Sequence, residues 1–399
     1  MILDKLFQLM AEKQASDIFI SAGIPIHIKI QGNTVPVNQQ LMDSAMIEKI
    51  AYELMSPDQI KTFEATMEMN LSFGVPSVGN FRINIFRQRA SISMVVRYIL
   101  GNIPALDTLS LPPILADLIM EKRGLIMIVG ATGSGKSTTL ASMLDHRNAN
   151  RSGHILTIED PIEFLFRHKK SIVNQRELGM DTLGWEPALR NAMRQAPDCI
   201  LIGEIRDRET MQAAIAYAQT GHLCLATLHA NNSYHALNRV INFFPLESRT
   251  SLYLDLSASL KAIISQRLVK KPDGKRTPAA EILLNTRHIQ ELIERGEVLA
   301  IKEAMEQSLA PGSQTFEQDL FRLYKETVIT LDEALANADS PTNLSWLINN
   351  SEFGNDKKED NKRQDSPIDF GTDSQTGASF KEFTLSLADP EEQEGKDAS

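Results

Sequence analysis

Near the start of the chain, apolar residues alternate with other residues in a way that predicts a β-hairpin. Isoleucine occupies positions 24, 26, 28 and 30. A spacing of two is typical of a strand with one buried face. A Gln-Gly-Asn turn follows at residues 31–33, and the alternation resumes at Val35 and Val37. Two such runs joined by a short turn predict a hairpin.

Helical spacing and short apolar runs predict the other main elements. The first 13 residues form an amphipathic pattern without a signal-peptide cleavage site, and residues 44–55 also predict a helix. Between about residues 114 and 350, strand-length apolar runs alternate with helical patterns, which favours βαβ units and a mostly parallel sheet. After residue 284 the pattern is mainly helical. The predicted core strands are residues 125–129, 155–158, 199–202 and 223–227.

This pattern predicts two domains and a tail. A small α/β domain covers residues 1–100, and residues 101–113, with three prolines and a glycine, form a linker. The nucleotide-binding domain covers residues 114–350. Residues 351–399 contain thirteen acidic and six basic residues and few apolar ones, so they predict a disordered tail. Two interpretations of residues 380–395 stay open, namely an inert segment or a short docking motif.

Charge and composition exclude several classes. The net charge is −10, and the tail accounts for −7 of it, so the rest of the chain lacks the basic surface that nucleic acid requires. No apolar run approaches the roughly 20 residues of a membrane helix. We therefore expect a cytoplasmic protein that is not inserted in the membrane. The two cysteines, Cys199 and Cys224, lie in apolar runs, which predicts buried thiols and excludes a cysteine zinc site.

Residues 130–137 carry the strongest functional signal, a GxxxxGK[ST] phosphate-binding loop. The apolar run 125–129 leads into it, and a helical pattern follows. In such a loop, glycines let backbone N–H groups point at phosphate oxygens, the lysine contacts the β- and γ-phosphates, and the serine hydroxyl binds Mg²⁺. The predicted ATP contacts are Gly130, Ala131, Thr132, Gly133, Ser134, Gly135, Lys136, Ser137 and Thr138.

Acidic residues and histidines follow the other predicted core strands. Glu204 comes just after the run 199–202, where a P-loop protein places a second Mg²⁺ contact beside the serine. Glu159, Asp160 and Glu163 follow the run 155–158. His229 ends the strand at residues 223–228, where a histidine can hydrogen-bond a γ-phosphate, and His222 precedes that strand. For both histidines, a purely structural role stays open.

Two arginines mark the second predicted hairpin of the first domain. Its strands cover residues 81–86 and 91–99, with the polar tip at 87–90. Apolar alternation places Phe81, Ile83 and Ile85 on the buried face, which puts Arg82 and Arg97 opposite each other on the other face. Either each has an acidic neighbour, or the two reach a phosphate as arginine fingers, with a neighbouring subunit as one source of that phosphate.

Several motifs in one order resemble a known family. They are GATGSGKSTT, TIEDPIEF, RQAPDCILIGEIRD and TGHLCLATLHANN, followed by SQRL at 265–268. They are similar to the Walker A, Asp box, Walker B and His box motifs of secretion-superfamily ATPases. Two further segments narrow the resemblance to type IV pilus retraction ATPases of the PilT/PilU kind. They are SDIFISAGIPIHIKIQG near the start and QTFEQDLFRLYK near the end. HIQELIERGEV at 288–298 and the acidic tail resemble the accessory PilU branch.

This resemblance implies a fold, a ligand and an assembly. The fold is a small PAS-like α/β domain followed by a RecA-like ATPase domain with a helical C-terminal part. Glu163 is the implied general base and Glu204 the Walker B acid, with His222 and His229 in the His box and Arg82 and Arg97 reaching phosphate. ATP and Mg²⁺ are the implied cofactors. The implied partners are five further copies in a hexameric ring, a paralogous retraction ATPase and the inner-membrane pilus platform.

The sequence favours an ATP-hydrolysing motor subunit that powers or assists pilus retraction, at the cytoplasmic face of the membrane. The alternative is a docking subunit with little ATP turnover, which reinforces a partner ATPase. The PilU-like segment at 288–298 suggests this alternative. A nucleic-acid translocase has less support, because the main basic cluster, residues 270–276, contains Pro-Asp-Gly and predicts an exposed turn.

Overall fold

The structure is a computed structural model that describes residues 2–30, 32–76, 78–99 and 101–360. For Ile2 and for residues 351–360 the description is of the backbone only. Residues up to Asn349 belong to one compact unit that contains two separate sheets. The predicted boundaries of two domains and a linker within that unit stay a prediction.

The first sheet is antiparallel and has six strands in the order β3-β2-β1-β6-β5-β4. Three helices accompany it, and one apolar cluster joins them to the sheet. The strands are β1 (Asp17–Ile20), β2 (His27–Ile30), β3 (Asn33–Pro36), β4 (Glu68–Val75), β5 (Gly79–Gln88) and β6 (Ser91–Ile99). The helices are α1 (Ile2–Lys13), α2 (Ser44–Leu54) and α3 (Pro57–Thr66).

Both predicted hairpins are present in this sheet. β2 pairs with β3, although Ile24 precedes the strand and is exposed. β5 pairs with β6, and their alternate apolar side chains are buried against α1, where Phe7 stacks on Phe81. This alternation fixes the register, because a shift by one residue would turn the apolar side chains outward.

The second sheet has seven strands in the order β13-β12-β7-β11-β10-β8-β9. All neighbouring pairs are parallel except β12 with β13. Apolar clusters cover both faces, as the continuous apolar runs of its central strands require. Its strands are β7 (Gly124–Val129), β8 (Gly153–Glu159), β9 (Ser171–Glu177), β10 (Cys199–Ile202), β11 (Leu223–Leu228), β12 (Leu260–Lys270) and β13 (Arg276–Leu284).

Helices surround this sheet and dominate the region after it. The segment after residue 284 is helical, as the pattern predicts. The helices are α4 (Ile114–Ile119), α5 (Lys136–Asn150), α6 (Trp185–Ala192), α7 (Arg208–Gln219), α8 (Ser233–Asn242), α9 (Arg249–Ser259), α10 (Arg287–Glu294), α11 (Ile301–Glu306), α12 (Phe316–Lys325), α13 (Leu331–Asn337) and α14 (Pro341–Asp360). Short 3₁₀ turns lie at Leu106–Leu109, Met193–Gln195, Leu246–Ser248 and Val298–Ala300.

Two features differ from the sequence interpretation. Strands β9, β12 and β13 extend the sheet beyond the four predicted strands, and the basic cluster at 270–276 is the turn that joins the last two. Helix α14 continues to Asp360, so residues 351–360, predicted to be disordered, are helical. The remainder of the predicted tail, residues 361–399, lies outside the described residues. None of the described helices is both long and apolar enough to span a bilayer.

Both cysteines are fully buried and free, as predicted. Burial raises the pKa of the Cys199 thiol to about 12 and also raises that of Cys224. Because the thiolate is the reactive form, we expect neither cysteine to react with a thiol reagent in the native protein at pH 8, and both to react in denaturant. Fast labelling of the native chain would contradict this packing.

Candidate functional site

The site lies where neighbouring parallel strands end at one edge of the second sheet. The P-loop follows β7, Glu159 ends β8, Glu204 follows β10 and His229 follows β11. These strands are hydrogen-bonded neighbours in parallel register, so their carboxyl ends meet. Open α/β sheets bind ligands at this edge.

Glycines allow the P-loop to turn tightly at this edge. Gly133 and Gly135 have φ of 77° and 90°, in the left-handed region that favours glycine. A side chain at Gly135 would also lie 2.7 Å from Nε2 of Gln266. The loop then leads into α5, whose N-terminal dipole faces the same space.

Polar groups of the loop lack anionic partners. Lys136 is buried, and its Nζ donates to the carbonyls of Gly130 (2.9 Å) and Ala131 (2.8 Å). Burial lowers the pKa of Lys136, although the charges of Glu204 and Glu163 act in the opposite direction. The buried Ser134 Oγ has no hydrogen-bond partner among the described residues. Because buried polar groups normally have partners, the unsatisfied Ser134 hydroxyl beside the buried lysine fits a loop that binds phosphate.

The P-loop borders a cleft of about 520 Å³, large enough for a nucleotide. Most of the predicted nucleotide contacts line it, whereas Gly130, Ala131 and Ser134 form the loop behind it. The predicted residues that line the cleft are Thr132, Gly133, Gly135, Lys136, Ser137, Thr138, Glu163, Glu204 and His229. The structure therefore brings together the P-loop and the polar residues of three other strand ends.

Glu204 lies in a small polar network at the floor of the cleft. Its Oε2 accepts from Nε of Arg206 at 2.8 Å, and its Oε1 lies 3.4 Å from Nε2 of His229. Arg206 also pairs with Asp160 at 3.3 Å. The hydrogen bond to Glu204 raises the pKa of Arg206. His229 is thus within reach of the same carboxylate that is predicted to contact Mg²⁺.

The segment after β8 carries two further acids with different surroundings. Glu163 is exposed to the cleft. Glu159 is packed more tightly, and burial raises its pKa to about 7. The hydroxyl of Thr157 (2.6 Å) and the amide of Gln175 (3.1 Å) donate to its carboxylate, and these hydrogen bonds act against the rise. Because it is exposed to the cleft, Glu163 is the better placed of the two to contact water near a bound phosphate.

The oxygen ligands present fit Mg²⁺. Ser137 and Glu204 both line the cleft and both offer oxygen atoms. Within residues 2–30, 32–76, 78–99 and 101–360, no group of three or more His, Cys, Asp or Glu side chains could hold a metal by itself. Mg²⁺ in nucleotide sites is usually held by one or two protein oxygens together with phosphate oxygens and water.

The two arginines of the first sheet lie directly opposite each other, as predicted, but neither lines the cleft. Each has an acidic neighbour: Nε of Arg97 lies 2.9 Å from Asp17, and Nη1 of Arg82 lies 3.7 Å from Glu177 on β9. Within one chain the acidic-neighbour interpretation therefore describes their contacts. Their predicted role toward phosphate requires a second subunit.

His222 does not line the cleft of its own chain, and its predicted contact with nucleotide stays a prediction. It precedes β11, and its carbonyl accepts from the N–H of Gly124 at the start of β7. β11 has six residues, so it separates His222 from the P-loop edge by about 20 Å. The side chain contacts Thr220 and the Tyr217 carbonyl instead.

Gln266 is a site residue to which sequence analysis assigned no role. It is 2% exposed, and its Nε2 donates to the Ser134 carbonyl at 2.8 Å. Its Oε1 accepts from the Thr139 hydroxyl on α5 at 2.7 Å. One amide thus joins β12, the P-loop and the helix after it. The SQRL motif at 265–268 was the available signal, but the contact depends on strand β12, which was not predicted.

We expect Gln266→Glu to weaken ADP binding about 10-fold, because a carboxylate retains the acceptor for Thr139 but cannot donate to the Ser134 carbonyl. Titration with a fluorescent ADP analogue measures this change. Gln212→Glu, at an exposed position on α7, is the matched control. Unchanged affinity in Gln266→Glu would show that this bond does not shape the P-loop.

This arrangement of Lys136, Ser137 and Glu204 defines the class as a P-loop nucleoside triphosphatase. A family model described as type II/IV secretion system protein matches residues 1–293. The chain belongs to that family and is one of its ATPases.

Individual relatives cover most of the chain. The type IV pilus ATPase PilU of Pseudomonas aeruginosa is 48% identical over 349 residues, which cover 87% of this chain and 91% of the relative. The type IV pilus retraction ATPase PilT of the same organism is 39% identical over 344 residues, covering 86% and 100%. The crystal structure of the pilus retraction motor PilT with bound ADP has a TM-score of 0.80 and 40% identity, covering 86% of this chain and 98% of that one.

These comparisons confirm three predictions. The resemblance to PilT/PilU ATPases holds, with higher identity to the PilU relative than to the PilT relative from the same organism. The fold class is confirmed as mixed α/β with a RecA-like P-loop domain and a helical C-terminal part. The enzyme class, ATPase, is confirmed as well.

Proposed function

We propose that this chain is an ATP-hydrolysing motor subunit that powers or assists type IV pilus retraction. The observation that carries the proposal is the joint placement of Lys136, Glu163, Glu204 and His229 around one cleft. The similarity to PilU and PilT over most of the chain supports the link to pili.

In this proposal the P-loop and Lys136 hold the phosphates of ATP, and Ser137 and Glu204 hold Mg²⁺. Mg²⁺ held by these two residues would supply positive charge that stabilises the negative charge developing on the phosphate. Glu163 orients a water molecule for attack and accepts its proton. In this proposal His229 contacts the γ-phosphate and responds when that phosphate leaves. Glu204 responds in turn through its contact with His229.

The assembly we propose is a homohexamer in which Arg82 and Arg97 approach the phosphates of a neighbouring subunit. Both lie outside the cleft of their own chain, so the phosphate that they approach in this proposal belongs to a neighbouring subunit. The proposed partners are a paralogous retraction ATPase and the pilus platform protein of the inner membrane. The proposed location is the cytoplasmic face of that membrane, at the pilus base.

A docking subunit with little turnover has less support. A subunit that only docks has no need for a buried lysine, two carboxylates and a histidine around one nucleotide-sized cleft. The nucleic-acid translocase has less support still, because the basic cluster at 270–276 forms an exposed hairpin turn in which Lys271 lies near Asp273.

Complementation of a deletion strain tests the proposal. The gene is deleted in a strain that keeps its paralogous ATPase, and pilus retraction against load is measured. We expect the deletion to impair retraction, the wild-type gene to restore it and Lys136→Ala to fail. Full restoration by Lys136→Ala would support the docking subunit instead. Normal twitching after deletion in a strain without a paralogue would contradict any role in retraction.

A further inference from the structure

The segment that carries Glu163 is held by side chains of a neighbouring strand. β9 is the edge strand of the second sheet and pairs with β8, the strand that leads into this segment. Side chains two residues apart on a strand point to the same face. Gln175 and Glu177 therefore project together toward the segment that follows β8.

Three hydrogen bonds join these two side chains to the backbone on both sides of Glu163. The Ile162 N–H donates to Oε2 of Glu177 at 3.1 Å. The amide of Gln175 donates to the Phe164 carbonyl at 2.9 Å and accepts from the Phe166 N–H at 2.9 Å. Glu163, whose side chain faces the cleft, thus lies between anchored neighbours. We call Gln175 and Glu177 the β9 clamp.

Glu177 of the β9 clamp is buried, and its two carboxylate oxygens have different surroundings. Glu177 is 3% exposed, and its Oε1 accepts no hydrogen bond from any described residue. The nearest cation to that oxygen is Arg82 of the first sheet, at 3.7 Å, with a side chain that is 20% exposed. A buried carboxylate needs a partner, and here one oxygen holds the Glu163 segment while the other faces Arg82.

We propose that the β9 clamp positions Glu163 for its role in orienting water, and that Glu177 links this position to Arg82. Gln175 and Glu177 are positioning residues in this proposal, since neither lies against the phosphate position. The inference rests on the proposed role of Glu163. It adds a connection between the arginine of the first sheet and the catalytic segment within the same chain.

Steady-state kinetics provide the first test. We expect Glu177→Ala and Gln175→Ala to lower kcat about 10- to 100-fold, because a small displacement of a catalytic group has effects of this size. The affinity for a fluorescent ADP analogue should stay within about 2-fold, since the P-loop is untouched. Glu177→Gln, whose amide oxygen can still accept from Ile162, should recover most of the loss. Asn174→Ala, on the exposed face of the same strand, is the matched control.

A double-mutant cycle separates positioning from general destabilisation. If Glu177 acts through Glu163, Glu177→Ala should reduce kcat by less than about 2-fold further in a Glu163→Gln background. Equal losses in both backgrounds, or a parallel loss of ADP affinity, would overturn the clamp. So would equal kcat losses in Glu177→Gln and Glu177→Ala.

Hydrogen exchange tests the clamp without any activity measurement. We expect the Ile162 amide to exchange about 3- to 10-fold faster in Glu177→Ala than in wild type, and near the wild-type rate in Glu177→Gln. Faster exchange in Arg82→Ala would support the link to the first sheet, and an unchanged rate would overturn that link. Because exchange needs no turnover, an inactive wild-type protein would count against the proposed function while the clamp is still tested.

Discussion

Replacing Lys136 by alanine is expected to lower the rate of ATP hydrolysis about 100- to 1,000-fold. Lys136 is the buried cation at the centre of the P-loop, and its ammonium group already lies within hydrogen-bonding distance of the loop carbonyls. In the proposed mechanism, this charge contacts the phosphate oxygens on which negative charge develops. The variant therefore loses a contact that is stronger in the transition state than in the ground state.

Two measurements check this first prediction. A phosphate-release assay gives the rate, and thermal unfolding shows whether the variant is folded. Lys170→Ala is the control, because Lys170 is exposed and lies outside the cleft. We expect the unfolding temperature of Lys136→Ala without nucleotide to match or exceed that of wild type, since burying an ammonium group costs free energy. A folded Lys136→Ala protein with a wild-type rate would remove the P-loop from the mechanism.

Replacing Glu163 by glutamine is expected to lower hydrolysis about 100- to 10,000-fold while ADP affinity stays near the wild-type value. The amide has nearly the same shape but cannot accept the proton of the attacking water. The side chain of Glu163 is exposed to the cleft, and the hydrogen bonds of the β9 clamp go to the backbone of its neighbours instead. The loss should therefore appear in kcat rather than in binding.

Glu159 is the competing candidate for the base, so Glu159→Gln belongs in the same experiment. Its raised pKa of about 7 would suit proton transfer, but its Oε1 already accepts from Thr157 and Gln175. We expect Glu159→Gln to reduce kcat less than Glu163→Gln does. Glu209→Gln, at an exposed position on α7, controls for the loss of a negative charge. A larger loss in Glu159→Gln than in Glu163→Gln would reverse the assignment.

Much of the site could be predicted from the sequence because it follows continuous apolar runs. The strands that became β7, β8, β10 and β11 are buried on both faces, and such strands are nearly uniform in apolar residues. Polar residues at their ends then stand out. Glu163, Glu204 and His229 follow such runs, Lys136 belongs to the GxxxxGK[ST] motif that follows another, and all four line one cleft.

The strands that were missed have polar side chains with specific partners. β9 contains Gln175 and Glu177, which bind the backbone of the neighbouring segment, and β12 contains Gln266, which binds the P-loop. Such residues interrupt the apolar pattern that identifies a strand. Their partners are far away in the sequence, so local periodicity does not reveal them.

The two histidines show a different limit of prediction from sequence. His222 and His229 flank the same strand, and the motif gives them equal weight. In a parallel sheet, however, the residue before a strand and the residue after it lie at opposite edges. Only His229 therefore reaches the cleft. The arginines illustrate a third limit, because the pattern placed Arg82 and Arg97 opposite each other but did not identify Glu177 and Asp17 as their neighbours.

The most direct test of the central claim is the steady-state ATPase activity of the purified full chain, with light scattering to measure its assembly. The account predicts a hexamer whose activity requires Mg²⁺ and is abolished by both Lys136→Ala and Glu163→Gln. A folded hexamer whose ATPase activity does not exceed that of these two variants would contradict the account. The cleft would then serve assembly or docking rather than ATP hydrolysis.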